Sequence, residues 1–356
     1  MTVQALDQAK IDAFGRTMAD ALNGAGIALM ASIGHQTGLF DTMATLPPST
    51  SHQIAAAAKL QERYVREWLA SLVAGHVIDY DPAQGTYVLP PEHAALLTRA
   101  AGPNNVASGA QIVALLAEVE QGIVASFRNG GGVPYAQFPR FQQMMAELSD
   151  TGLADLINAK LPLVPGLIAR LQAGIDVADI GCGYGRAINL MAQAFPNSRF
   201  VGYDFSEEAI AVARAEATQM GITNASFEAN DVAVLGVANQ FDFVTAFATI
   251  HDLAHPADVL RRIAIGLRAG GIFLMAEGAV SSKLEENLDR MMGPWEYAIS
   301  CMHCMTVSLA LDGEGLGLMW GAQKARTMLA AAGFTHIEIK QLETDQDTND
   351  YIASKV

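Results

Sequence analysis

The sequence predicts an α/β protein in two parts. A mainly helical N-terminal region precedes a domain built on a seven-stranded, mostly parallel sheet. Three observations predict it. From Asp176 onward, short apolar runs alternate with helical segments, the pattern of strand–helix–strand units. The run Val177-Ala178-Asp179-Ile180-Gly181-Cys182-Gly183-Tyr184-Gly185-Arg186 reads as a buried strand turning through three alternating glycines into a helix. Before residue 98, helical segments lead into two short alternating strands around a turn.

Taken in order, Ala21 to Leu39 carries apolar residues at helical spacing and ends at Gly38-Leu39-Phe40-Asp41. Pro47-Pro48 breaks the chain. Ser49-Thr50-Ser51-His52 then offers caps for a helix from Gln53 to Lys59, and another helix runs from Glu62 to Gly75. Val77 to Tyr80 and Thr86 to Leu89 form a hairpin around the turn Asp81-Pro82-Ala83-Gln84-Gly85. Helices followed by a hairpin make residues 1–98 a winged-helix-like domain. Residues 99–173 read as a helical linker and cap. They are interrupted by Asn129-Gly130-Gly131-Gly132-Val133-Pro134-Tyr135, a loop suited to a lid or hinge. In 174–356 the predicted strands are Val177–Ile180, Phe200–Tyr203, Ala225–Ala229, Phe241–Phe247, Ile272–Ala276, His336–Gln341 and Tyr351–Ser354. Seven strands, with a helical, methionine-rich insertion at 284–321 before the last pair, make this domain Rossmann-like.

Composition bounds the function. The chain has 356 residues, 51% hydrophobic and 17% charged, which is a globular profile. A net charge of -15 leaves too few cations to neutralise phosphates overall, so nucleic acid is not the expected partner. The three cysteines Cys182, Cys301 and Cys304 give no disulfide framework and suit a reducing compartment. Met1 to Lys10 is too polar for a signal peptide, and no apolar run reaches the roughly 20 residues of a membrane span. The expectation is a soluble, cytoplasmic protein that does not engage membranes.

The glycine spacing is G-x-G-x-G. Arg186 stands where a dinucleotide fingerprint has its third glycine, which argues against a nicotinamide oxidoreductase, the rival reading. The motif resembles that of class I S-adenosyl-L-methionine (SAM)-dependent methyltransferases, over about Gly174 to Val356. The resemblance implies SAM as cofactor. Gly181, Gly183 and Gly185 then let the ligand approach the main chain, and Asp179 accepts hydrogen bonds near its amino group. Asp204 ends the next strand about 20 residues later, the separation at which an acid meets ribose hydroxyls, and Phe205 flanks the adenine. At the third strand end, Asp231 accepts from the adenine amine, with Asn230 or the Val232 amide nearby. Phe247 borders the methionine part. Taken singly, Asp204 also reads as a solvated loop acid and Asn230-Asp231 as a turn; the ordered conjunction carries the inference.

The whole chain is similar to a bacterial methyltransferase subfamily with an N-terminal winged-helix-like domain. The match rests on Gly130 to Tyr135, His251-Asp252-Leu253-Ala254-His255-Pro256 and Met302-His303-Cys304-Met305-Thr306-Val307-Ser308-Leu309. It implies a small-molecule substrate, dimerisation through an N-terminal domain that covers the active site, and no reading of DNA. Ala248-Thr249-Ile250-His251-Asp252 resembles a stretch of the plant small-molecule O-methyltransferases. That implies His251 as general base, with Glu277, by position, orienting it. A second orienting acid of those enzymes has no counterpart that the sequence locates.

Two readings of His251 stay open here: the base for an oxygen acceptor, or a residue that caps a helix or packs on the cofactor. An amine or a thiolate needs little base catalysis, so N- or S-methylation is the alternative reaction. A SAM-responsive winged-helix regulator is the alternative outside enzymology. Tyr135, Trp295, Tyr297 and His303 are the candidate substrate residues, and His303 is also a second candidate base. Aromatic residues at helical spacing equally read as core. Cys301-Met302-His303-Cys304 lacks a second ligand pair, so no metal is expected.

Overall fold

The computed structural model describes residues 6–138, 140–152, 155–234 and 236–355. The chain divides into two compact units, one ending at Ala117 and one beginning at Glu118.

In the first unit, α1 (Gln8–Thr37) is capped by the Asp7 side chain, which accepts from the Ala9 amide at 3.0 Å. It ends at Gly38, whose φ of +71° closes the helix. The helix begins at Gln8 and not near Ala21. The apolar-stripe pattern registers only its second half, where Ala31 and His35 are buried, whereas the first half is exposed throughout. α2 (Leu39–Thr45) follows. α3 (Ser51–Ala58) starts with a capping box formed by Thr50 and Gln53. α4 (Glu62–Ala74) buries Val65, Trp68, Leu69 and Leu72 on one face, and Trp68 meets Phe40 at 5.2 Å between ring centres. β1 (Asp79–Asp81) and β2 (Thr86–Val88) form the antiparallel wing. β1 starts later than the sequence suggests because the amides of Val77 and Ile78 both bond to the Leu72 carbonyl, completing the end of α4. α5 (Pro91–Leu97) and α6 (Val106–Gly109) follow, and α7 (Gln111–Asn129) carries the boundary between the units.

One sequence expectation is corrected here. Val106–Asn129 makes a 24-residue helical stretch long and apolar enough, by length and composition, to cross a bilayer. Core helices pass the same test. Leu115, Leu116, Val119 and Ile123 are buried at helical spacing, and Glu118 and Glu120 sit mid-helix, where a bilayer would penalise them. A third of its apolar window is buried, so the fold covers the helix only in part.

The second unit contains α8 (Phe141–Gly152), α9 (Leu167–Ala173), α10 (Arg186–Ala194), α11 (Glu207–Gln219), α12 (Pro256–Gly266), α13 (Gly293–Ile299), α14 (Met305–Leu309) and α15 (Gly321–Ala331). Its strands are β3 (Asp176–Ile180), β4 (Arg199–Asp204), β5 (Ala225–Ala229), β6 (Phe241–Phe247), β7 (Leu267–Gly278), β8 (His336–Leu342) and β9 (Asp345–Ser354). They form one sheet in the order β5-β4-β3-β6-β7-β9-β8, parallel except for β9, which runs antiparallel to both neighbours. All seven predicted strands are present. Side chains alternate between the faces, as the two-residue period of a strand requires. Val177 packs with Leu171, Ile188 and Ile210 on one side, whereas Ala178 and Ile180 pack with Leu260, Ile263 and Leu329 on the other. The strand order reverses beside β3, so the carboxyl ends of β3, β4 and β6 open at the point where such sheets bind ligands.

Candidate functional site

The glycine turn is anchored to β4, because the amides of Gly181 and Cys182 both donate to the Tyr203 carbonyl, at 2.8 and 3.0 Å. Gly181 has φ +69°, and a Cβ there would overlap the Thr249 side chain. Gly185 has φ +75°, and a Cβ would lie 2.5 Å from the Phe227 ring and 2.8 Å from Ala213. Only glycine fits either place. The Gly183 amide donates to Asp204 Oδ2 and the Ser206 amide to Asp204 Oδ1, each at 2.9 Å, which holds the buried carboxylate beside the turn. Burial pushes Asp204 up against these bonds. Asp179 is buried too and accepts from Thr245 Oγ1 at 2.6 Å; burial, with Asp204 adding to it, pushes it up to about 7. Two partly compensated acids at a turn that must be bare of side chains fit a cationic ligand that also carries hydroxyls.

Around them, Phe205 is 55% exposed and stands edge-on to Tyr135 at 5.5 Å. The Asn230 amide donates to the Asp204 carbonyl at 2.8 Å. Asp231 is exposed, and its Oδ1 accepts from the Ala233 amide at 2.9 Å. The Val232 side chain is buried in the core, so only its amide suits the use expected of it. Phe247 ends β6, half-buried.

Beyond β6 the chain turns sharply. Ala248 takes φ +49°, uncommon for a residue with a Cβ, and its amide bonds to the Ala276 carbonyl at 2.8 Å. The turn brings His251 to the end of β7, where His251 Nδ1 bonds to Glu277 Oε2. Glu277 is fixed in place, since Oε1 accepts from the Ile250 amide at 3.0 Å and Oε2 from Trp320 Nε1 at 3.4 Å. On the far side, His251 Nε2 lies 3.3 Å from Asp252 Oδ1, and Asp252 Oδ2 lies 3.8 Å from His303 Nδ1. Glu277, His251, Asp252 and His303 thus form a continuous chain of acids and imidazoles. Burial alone would push His251 down, but the carboxylates of Glu277 and Asp252 outweigh it and hold this imidazole well above its usual value. His303 goes the other way: burial pushes it down to about 4, with Asp252 opposing and His251 adding.

The three motifs that single out the subfamily meet here. The Val133 amide donates to Thr306 Oγ1 at 2.8 Å, and a Cβ on Gly132 would overlap the Thr306 carbonyl, which explains the glycine in that loop. Ser308 Oγ donates to the Leu253 carbonyl at 2.8 Å, and the Glu314 amide to the Ala254 carbonyl at 2.9 Å. Tyr135 stands edge-on to both Phe141 and His303, and Gln142 Nε2 donates to its hydroxyl at 3.2 Å. His303 lies in a π-helical turn, Ser300–Cys304, between α13 and α14; such turns are frequent at functional sites.

Some expected partners are not gathered in. Trp295 and Tyr297 lie half-buried on α13, and the Tyr297 hydroxyl accepts from Asn287 Nδ2 at 3.2 Å. Among the described residues no ring contact joins either to His303. The sequence reading missed Thr245, Phe138, Phe141 and the role of Asp252, which is the second acid at His251. Cys304 also arrives from a distant segment: it, His251 and Asp252 each place a donor atom within 4.8 Å of the others. The spacing is one that metal sites share, and sequence spacing gave no sign of it. We read it as an acid–imidazole–thiol cluster, because carboxylates already flank both nitrogens of His251 and burial pushes the thiol up to about 11.

Residues 171–333 match the methyltransferase domain family, and residues 25–99 match the Rv2258c-like winged HTH domain. A malonyl-[acyl-carrier protein] O-methyltransferase of Bacillus cereus is 26% identical over 148 residues, 42% of this chain and 49% of that protein. A trans-aconitate 2-methyltransferase of Methylobacterium nodulans is 33% identical over 128 residues, 35% of this chain and 46% of that protein. The chain therefore spans about half the length of the curated relatives it matches. Among solved structures, human N-acetylserotonin methyltransferase in complex with SAM superposes with a TM-score of 0.70 at 16% identity, over 99% of both chains. The mitomycin 7-O-methyltransferase MmcR superposes with 0.70 at 18% identity, over 98% of this chain and 99% of that one. At such identities the likeness speaks for the fold alone. Residues 25–99 are thus an Rv2258c-like winged helix-turn-helix domain and residues 171–333 a methyltransferase domain.

Proposed function

We propose that the protein methylates an oxygen of a small-molecule acceptor, with His251 as the base. The observation that carries this is the Glu277–His251–Asp252 arrangement at the strand ends beside the glycine turn. Bound at Gly181, Gly183, Gly185, Asp179 and Asp204, SAM supplies a methyl group already activated on a sulfonium, for in-line displacement. The chain's own task is to position the acceptor and take its proton. Glu277 holds Nδ1 and Asp252 Oδ1 lies 3.3 Å from Nε2, so Nε2 accepts the hydroxyl proton only when His251 is neutral, a form that grows with pH because the two carboxylates hold this imidazole well above its usual value. As the oxygen forms its bond to the methyl carbon, the carbon–sulfur bond breaks and S-adenosylhomocysteine leaves neutral. The imidazolium is stabilised by the two carboxylates until it releases its proton to solvent. A thiolate or amine acceptor would leave this chain of acids without use. A labelled-methyl screen over phenols, carboxylic acids, thiols and amines tests the reading. Transfer to oxygen supports it; transfer confined to nitrogen or sulfur overturns it.

SAM affinity also carries a pH signature. Below about 7 Asp179 is neutral; above it the carboxylate faces a cationic ligand. The dissociation constant is expected to fall from roughly pH 6 to pH 8, and Asp179→Asn should flatten that dependence. A flat profile in the unaltered protein would detach Asp179 from the cofactor.

We further propose a homodimer formed through the N-terminal domain, in a reducing compartment such as the cytoplasm. The support is the first half of α1, where Ile11, Phe14, Met18 and Leu22 make an exposed apolar stripe at helical spacing. Phe14→Glu with Leu22→Glu should convert a dimer to a monomer by light scattering; a monomeric unaltered protein contradicts it. DNA reading has little support. On α4, Arg63 pairs with Glu67, and Arg66 Nε lies 3.4 Å from Glu62, so both cations are partnered within their own helix.

A further inference from the structure

His303 is 1% exposed, and its Nε2 has no hydrogen-bond partner. Leaving a buried polar atom unpaired is costly, so a ligand atom is the natural complement. The ring cannot swing away to find a partner. Phe141 stacks on its face at 3.8 Å and 14°, Phe138 packs edge-on at 4.7 Å, and Tyr135 edge-on at 5.5 Å. Asp252 Oδ2 lies 3.8 Å from Nδ1, which favours the proton on that nitrogen and leaves the lone pair on Nε2. Held down at about 4 by burial, the ring is neutral at physiological pH, so that lone pair is open. The other oxygen of the same Asp252 carboxylate lies 3.3 Å from His251 Nε2. One carboxylate thus sets two imidazoles side by side, one to take a proton and one to accept a hydrogen bond.

We propose that His303 Nε2 accepts a hydrogen bond from a second donor group of the methyl acceptor, so that the site selects flat molecules carrying a hydroxyl or amino group beside the oxygen to be methylated. The inference rests on the oxygen-acceptor reading above and names the acceptor's shape. The rings of Tyr135, Phe138, Phe141 and Phe205 supply the apolar surroundings that suit a planar molecule. His303 is a specificity residue here and takes no proton in the reaction.

The test uses catechol, with two adjacent hydroxyls, and phenol, with one, as probes. Binding of each to the full-length protein saturated with S-adenosylhomocysteine is measured by calorimetry. Catechol should bind at least about tenfold more tightly than phenol. His303→Phe, which keeps the ring packing but removes the nitrogen, should bring the ratio to one, and His303→Gln should restore part of it. Equal binding of the two probes, or a ratio that survives His303→Phe, overturns the proposal. Methyl transfer is read separately. Discrimination in binding without transfer to oxygen removes the oxygen-acceptor reading and leaves the His303 contact standing.

Discussion

His251→Ala lowers turnover of an oxygen acceptor by about 10²–10⁴-fold, the usual contribution of a positioned general base, and leaves SAM affinity unchanged. The separation is expected because His251 faces Glu277 and Asp252, while the residues around the glycine turn are Asp179, Asp204 and Thr249. A labelled-methyl assay beside a SAM titration reads both quantities, and unchanged turnover removes His251 as base. Glu277→Gln separates positioning from bulk stability. Taking away its negative charge lets burial lower the imidazole again, so the pH limb of kcat/KM moves to lower pH while kcat falls. A merely structural role for Glu277 would leave that limb where it was.

The second large effect concerns Asp204→Ala, which should weaken SAM binding by at least about 10²-fold. If Asp204 receives two ribose hydroxyls, as we propose, those charge-assisted hydrogen bonds would contribute about 1.5–3 kcal/mol each. Asp204 also accepts from the Gly183 and Ser206 amides, so its loss loosens the turn itself. Asp204→Asn keeps an acceptor and should fall between the two. Titration calorimetry with a melting curve on each variant checks the claim; affinity retained in Asp204→Ala removes this acid from the cofactor site.

The parts legible in the sequence are those whose causes are local. A strand buried on both faces, three alternating glycines and an acid at the next strand end lie within about thirty residues of one another. Each is dictated by backbone geometry, and all seven strands appear where the apolar runs put them. The first half of α1 was not legible, because an exposed helix buries no face to betray its period. The His251–Glu277 link was expected from the family resemblance alone, and its extension through Asp252 to His303 was not legible. Glu277 hangs from β7, His251 from the turn after β6, and His303 from a π-helical turn in the insertion. Phe141, which stacks on His303, comes from a helix more than a hundred residues earlier. Asp252 stood in plain view beside His251, yet only the fold puts it between two histidines. Trp295 and Tyr297 lie in the segment the sequence singled out, and the Tyr297 hydroxyl bonds locally, to Asn287.

The most direct test of the central claim is calorimetric titration of the full-length protein with SAM, beside Gly183→Arg. Gly183 has φ +53°, and its amide holds Asp204, so an arginine there strains the turn and fills the place the ligand needs. The account predicts one saturable site per chain in the unaltered protein and none in the variant. No SAM-dependent heat in the unaltered protein, or equal binding by Gly183→Arg, would contradict it.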